Sequence, residues 1–234
     1  MLEEKIANVI ESTKPKASNT LRVLVGAYFP VALGVRRAAE YRADEFRKPT
    51  DGSLSEEELA IADKLHIEII SWEATQRLGE RQHYFVIKND DSETRGRIKS
   101  LRYVRPQDWE AGRILGYPEC CIQECMEDHA RGAVPDLRAT EHIEYNIKNG
   151  IEVNPLTYFA WGFIPCRPNC DEAVKIGSSI YKKYSELSLG IKFKRGGKPT
   201  DVHLEEFYKN EIGGEWIRIM ALVAEEITKG NWKL

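Results

Sequence analysis

The chain has no apolar run long enough to cross a membrane. Its longest, such as IRIMALVA (Ile217 to Ala224), fall far short of the roughly 18 residues that a span requires. The first residues, MLEEKIANVIEST, are charged and lack the apolar core of a signal peptide, so a cytoplasmic location is expected. Neither sign of charge dominates. The formal net charge of -3 is the difference between 37 acidic and 34 basic residues, which gives no general attraction to nucleic acid. Two local basic clusters, RGRIKSLRYVR (Arg95 to Arg105) and KFKRGGK (Lys192 to Lys198), read as a solvated strand face and a basic loop. Glutamine is scarce beside abundant Lys, Arg and Glu, a balance that points to a heat-adapted source.

Common catalytic and nucleotide-binding signatures are missing as well. There is no Gly-x-Ser-x-Gly elbow and no His-Glu-x2-His helix. GAYFPVALG (Gly26 to Gly34) sits where α/β proteins bind ligands, but it has no glycine-rich phosphate loop and no Gly-Lys-Ser/Thr element. EHIEYN supplies Glu141, His142 and Glu144, which read as the exposed side of an amphipathic helix.

What remains is a chain of 234 residues, 42% hydrophobic and 30% charged, long enough for a core that needs no staples. Residues 1–105 read as a mixed α/β region. EEKIANVIEST has helical spacing, LRVLVGAYF is expected to be a buried strand, and ALGVRRAAEYRADEF returns to helical composition. KPTDGS reads as a turn, and Ser55 is expected to cap the helix EEELAIADKL. HIEIISW, HYFVIKN and IKSLRYV are expected strands, the last two forming a hairpin across NDDSETRG. Residues 106–234 read as predominantly helical and hold every cysteine. Expected helices there close at Gly116, start at Pro118, cover ATEHIEYNIKNG, and span 155–162, 170–189, 201–210 and 215–229. The expected fold is α/β (α+β), its two regions sharing one core if the soft boundary near 105 is not a domain border.

The cysteines are the informative feature. Three of the five lie in LGYPECCIQEC as Cys120, Cys121 and Cys125, and the other two in PCRPNC as Cys166 and Cys170. Pro118 suits the first turn of a helix, which places Cys120 and Cys121 in that turn. Asn169 is a good N-cap, which places Cys170 in the first turn of a second helix. Unsatisfied N–H groups and the macrodipole at such ends favour thiolate, the form that binds metals and attacks electrophiles. Cys166 and Cys170, separated by RPN, have the spacing of a zinc or iron–sulfur half-site. The vicinal Cys120 and Cys121 diverge by about 100° on a regular helix, so both reach one small ion only from a distorted turn; a multi-iron cluster accommodates neighbours more easily. Cys125 and His129 follow Cys121 at four-residue steps and are additional candidate ligands, as is Arg167 for compensating thiolate charge or holding an anion. TYFAWGF (Thr157 to Phe163) reads as core packed against the cysteine-bearing helices.

LGYPECC followed by FIPCRPNCDEAVKIG resembles the paired signature of an uncharacterised prokaryotic family, domain of unknown function 483, well represented in archaea. The matching positions are Gly116, Tyr117, Pro118, Cys120 and Cys121, then Pro165, Cys166 and Cys170. Cys125 and His129 lie outside that pattern. The resemblance implies no established activity. The expected function is therefore a cytoplasmic metal-binding protein with an iron–sulfur cluster or Zn on Cys120, Cys121, Cys166 and Cys170. Two alternatives stand beside it. One is a thiol-dependent redox or sulfur-transfer enzyme with a low-pKa cysteine. The other is a heat-stable scaffold or interaction protein with structural cysteines or disulfides. Substrate and partner, a small molecule or a protein, are not readable from the residues.

Overall fold

The computed structural model describes residues 1–12, 18–42, 54–71, 83–101, 108–133, 135–160, 163–195 and 198–229. Helix α1 (Leu2–Ser12) buries Ile6 and Val9, three residues apart on one face. A continuous helical rod follows: α2 (Ser18–Val23), a π-helical segment (Leu24–Tyr28) and α3 (Phe29–Ala32). The expected strand at LRVLVGAYF is thus helical. All of its residues but Arg22 are buried, so no periodicity distinguished strand from helix. Ser18, Asn19 and Thr20 ahead of it, and a rod longer than a typical strand, are the local signals that favour helix.

The expected helix after Ala32 is also replaced. Gly34 adopts φ +72°, and the N–H groups of Val35 and Arg36 both donate to Pro30 O, which stops the rod. The chain then forms β1 (Ala38–Arg42). Helix α4 (Glu56–Leu65) begins as expected at Ser55, in a reciprocal capping box with Glu58. β2 (Ile67–Ser71) and β3 (His83–Lys88) complete a three-stranded antiparallel sheet with β3 in the centre. Ala38 pairs with Ile87, and Ile67 with Lys88. β3 finds its partners in β1 and β2, and the expected hairpin with IKSLRYV does not form. Asp91 accepts the Thr94 N–H and caps α5 (Ser92–Ser100) instead, so Ile98 lies on a helix. The KPTDGS turn, and residues 102–104 of the expected strand, lie outside the described residues.

The remainder is mostly helical. α6 (Asp108–Ile114), α7 (Glu119–Ala130) and α8 (Pro135–Lys148) lead to a single 3-10 turn at Pro155–Thr157, where a helix over 155–162 was expected. Pro155 and the Asn154 cap start that turn, and the chain then runs irregularly through Tyr158 and Phe159. α9 (Asp171–Leu187) is followed by a hairpin of β4 (Gly190–Arg195) and β5 (Lys198–His203), with Arg195 opposite Lys198. The helix expected over 201–210 therefore starts only at α10 (Leu204–Phe207), which continues through a second π-helical segment (Tyr208–Gly214) into α11 (Glu215–Thr228).

One apolar cluster draws on α1, the α2–α3 rod, β1, α4, α9 and the second π segment, and it includes Cys121 and Cys170. A buried relay of Tyr28 OH to Tyr41 OH (3.0 Å) and Tyr41 OH to Glu58 Oε1 (2.8 Å) ties the rod, β1 and α4 together. Among the described residues, no helix is long and apolar enough to cross a membrane.

Candidate metal centre

Two chain segments build the site. Gly116, at φ +72°, closes α6, and Pro118 N-caps α7. Pro118 O accepts from both Cys121 N (2.9 Å) and Ile122 N (3.0 Å), so the first turn is tightened. Helical Cβ atoms lean towards the N-terminus, and with no preceding turn in the way the side chains of Cys120 and Cys121 reach past the helix end. Their sulfurs lie 3.9 Å apart. The divergence expected of a vicinal pair is therefore overcome at this terminus.

The second segment is the loop Phe163 to Cys170. Cys170, rather than Asn169, is the N-cap of α9. Asn169 is engaged elsewhere: its Oδ1 accepts from Asn154 N (2.8 Å) and its Nδ2 donates to Glu152 O (2.9 Å). This fastens the loop to the chain ahead of the 3-10 turn. Cys170 Sγ then lies 3.7 Å from the sulfurs of both Cys120 and Cys121. Cys166 completes the group, and the four sulfurs all lie within 4.8 Å of one another. They are within metal-binding distance, and none of the five cysteines is in a disulfide.

Burial sets the electrostatics. It pushes the Cys121 thiol well above the ordinary range, although Cys166 N–H donates to that sulfur at 3.4 Å. Burial, with the adjacent Cys170 thiol, pushes Cys166 up to about 12. At Cys170 burial acts in the same direction, but the Ala173 N–H and the surrounding thiols outweigh it and bring the group below its ordinary value. Of these three, the expected preference for thiolate at a helix start appears only at Cys170; at Cys121, desolvation wins.

The loop is held by a residue that no motif singled out. Arg138 on α8 donates through Nη1 to Pro165 O and to Cys166 O, both at 3.0 Å. Its Nε donates to Asp128 Oδ2 at 2.6 Å, and Asp128, on α7, is 2% exposed. One guanidinium thus joins the helix carrying Cys120 and Cys121 to the backbone of Cys166. Arg36 supports the other side. It is 6% exposed, donates to Leu115 O (3.0 Å) and lies over the rings of Tyr117 (5.8 Å) and Phe159 (5.2 Å). Among the described residues it has no carboxylate partner. Tyr117, Phe159 and Phe163 pack together with centroid distances of 4.4–5.9 Å, so Phe159 and Phe163 are core against the site, as expected, while Tyr158 packs in a separate cluster with Ile143 and Trp216.

The additional candidates fall outside the group. Cys125 and His129 lie one and two turns further along α7, and the cluster of four does not include them. Arg167 is exposed and pairs with Asp171 (3.1 Å). Glu141 is exposed and Glu144 pairs with Lys148, as an amphipathic helix face would.

Comparison with known proteins covers this part of the chain. Residues 95–195 match the family described as "Protein of unknown function (DUF483)", so the resemblance carried by the two cysteine motifs holds. An uncharacterized protein of Methanocaldococcus jannaschii is 34% identical over 117 residues, 47% of this chain and 61% of that protein. An uncharacterized protein of Methanothermobacter thermautotrophicus is 39% identical over 73 residues, 31% of this chain and 38% of that protein. The chain therefore spans less than two thirds of the length of either relative. No solved structure gives a significant match.

Proposed function

We propose that this chain is a metal-binding protein whose Cys120, Cys121, Cys166 and Cys170 hold one tetrahedral ion, zinc in preference to an iron–sulfur cluster. The sulfur spacing carries this reading. Four sulfurs placed ~2.3 Å from a central zinc form a tetrahedron with edges of about 3.8 Å. Three edges here measure 3.7, 3.7 and 3.9 Å. In a [4Fe–4S] cluster each cysteine ligates its own iron, and in a [2Fe–2S] cluster the four are split between two irons, so in neither do all four sulfurs surround one ion.

Charge supports the same reading. A dication on four thiolates leaves a net charge of -2, which needs compensation in a half-buried place. The N-termini of α7 and α9, the Cys166 N–H on Cys121 Sγ, and Arg138 on the Cys166 carbonyl supply it. Metal analysis of protein purified without oxygen tests the proposal: one zinc per chain and no colour is the expected result. A brown protein absorbing near 400 nm would replace zinc with an iron–sulfur cluster.

The lowered Cys170 thiol favours a second reading, a thiol-dependent redox or sulfur-transfer enzyme with Cys170 as the nucleophile. Metal-free protein as isolated, with Cys170 alkylated first, is the outcome that belongs to it.

A further inference from the structure

The four sulfurs are not equally reachable. Cys120 is exposed and Cys166 half-buried, while Cys121 and Cys170 are each 2% exposed. An oxidant arriving from water therefore meets Cys120 first. Directly behind it, at 3.7 Å, lies Cys170 on a different helix. The geometry points to a site of modification: hydroperoxides oxidise this centre at Cys120, Cys170 resolves the product, and the Cys120–Cys170 disulfide that forms expels the ion. This rests on the metal-centre reading for the ion, while the thiol chemistry stands on the sulfur positions alone.

An accessible thiolate beside a second thiol is the arrangement that redox-sensing cysteines use. As a ligand Cys120 would be held as thiolate, the form whose sulfur attacks one peroxide oxygen. The S–O bond forms, the O–O bond breaks, and hydroxide leaves to take up a proton as water. Cys170 Sγ then attacks the sulfur of the Cys120 sulfenic acid. The S–S bond forms, the S–O bond breaks, and a second hydroxide leaves as water. Two thiolates lose two electrons in all, and one peroxide becomes two waters.

Cys170 is a better resolving thiol than Cys121. Cys121, at 3.9 Å, is adjacent in sequence, and a vicinal disulfide closes a small ring around one peptide bond that the helical backbone of α7 does not accommodate. A bond to Cys170 joins two separate helix starts, which have only to close from 3.7 Å to the roughly 2.05 Å of a disulfide. The ion would then retain Cys121 and Cys166 alone, fewer ligands than zinc sites use.

The test treats the full chain, purified anaerobically with its metal content measured beforehand, with stoichiometric hydrogen peroxide. A chromogenic indicator follows zinc release, and peptide mass spectrometry identifies the first disulfide. The expected result is loss of the ion together with a Cys120–Cys170 disulfide, both reversed by dithiothreitol and added zinc. Cys120→Ser is expected to form no disulfide at Cys170 under the same stoichiometric peroxide, read by the same peptide mass spectrometry. Cys170→Ser is expected to accumulate a dimedone-reactive sulfenic acid at Cys120. A first disulfide that includes Cys166 or Cys121 in place of this pair overturns the inference, as does a Cys170→Ser protein that dimedone does not label at Cys120. Protein without metal at the outset overturns the metal-centre reading, and the disulfide map of the same sample still decides the thiol step.

Discussion

Gly177 of α9 faces the backbone carbonyl of Leu156 so closely that a methyl group on Gly177 would overlap that carbonyl. Gly213, in the second π-helical segment, meets the Pro155 carbonyl in the same way from the other side. The 3-10 turn is therefore gripped between two helices at points where only glycine fits. From that grip the chain runs through Phe159 and Phe163 to Cys166.

Gly177→Ala is expected to destabilise the protein. Alanine is the better helix former by about 1 kcal/mol, but the overlap is with backbone, which has no rotamer to change, and overpacking of this kind costs about 1–3 kcal/mol. Gly96 provides the contrast. It lies in α5 with open space around the position of its missing Cβ, so Gly96→Ala is expected to stabilise by roughly 0.5–1 kcal/mol. Urea denaturation of both variants checks the pair; an unchanged midpoint for Gly177→Ala would contradict the close contact.

Arg138→Ala is expected to weaken both the fold and the metal centre. Removing one partner of a buried ion pair costs about 3–5 kcal/mol, and the lower end applies because Arg131 still pairs with Asp128 at 3.0 Å. The carbonyls of Pro165 and Cys166 also lose their donor, and loss of such an outer partner typically lowers metal affinity about 10–100-fold. Chelator competition measures the second effect separately from unfolding. Arg138→Lys keeps charge beside Asp128 but cannot span both contacts, so an intermediate value is expected.

These contacts also show where the chain was legible and where it was not. The Ser55 cap and the placing of Cys120 and Cys121 in a first turn are local rules, and each is met in the structure. Cys170 came within one residue of its expected position because proline and asparagine announced a helix start without saying which residue would cap it. LRVLVGAYF misled because burial on every side erases the periodicity that separates helix from strand. IKSLRYV misled because the Asp91 cap lies seven residues upstream of Ile98. Arg138 and Asp128 carry no sequence signal at all: one buried pair joins two helices, and either residue alone looks like a surface charge.

The pH response should differ between the metal-free and the loaded protein. In the metal-free fold, burial raises Cys121 and brings Cys166 to about 12, so the folded state holds protons that the unfolded chain loses. That contribution to stability is complete below the ordinary thiol range near 8.5, and it declines as pH rises from there towards the folded values. Loading with zinc removes the same protons in advance, so the loaded protein should lack this alkaline loss. Binding must also release protons, and affinity should rise with pH. Calorimetry of zinc binding in buffers of different ionisation enthalpy reads the proton count directly; zero release would refute the protonated metal-free site.

Cys121→Ser and Cys125→Ser should separate completely, although the two residues share a helix face. Cys121 lies in the first turn of α7, where its side chain reaches past the helix end to Cys170. Cys125 is one turn on, about 6 Å further along the axis and away from the site, with His129 the same step beyond. Cys121→Ser removes a buried ligand and is expected to abolish stoichiometric zinc. Cys125→Ser and His129→Ala are expected to leave the metal content and the chelator midpoint unchanged. Loss of the ion from Cys125→Ser in folded protein would move the centre along α7 and displace Cys120, because a sulfur at the helix start and one a turn later cannot both complete the same small tetrahedron around Cys121 and Cys170.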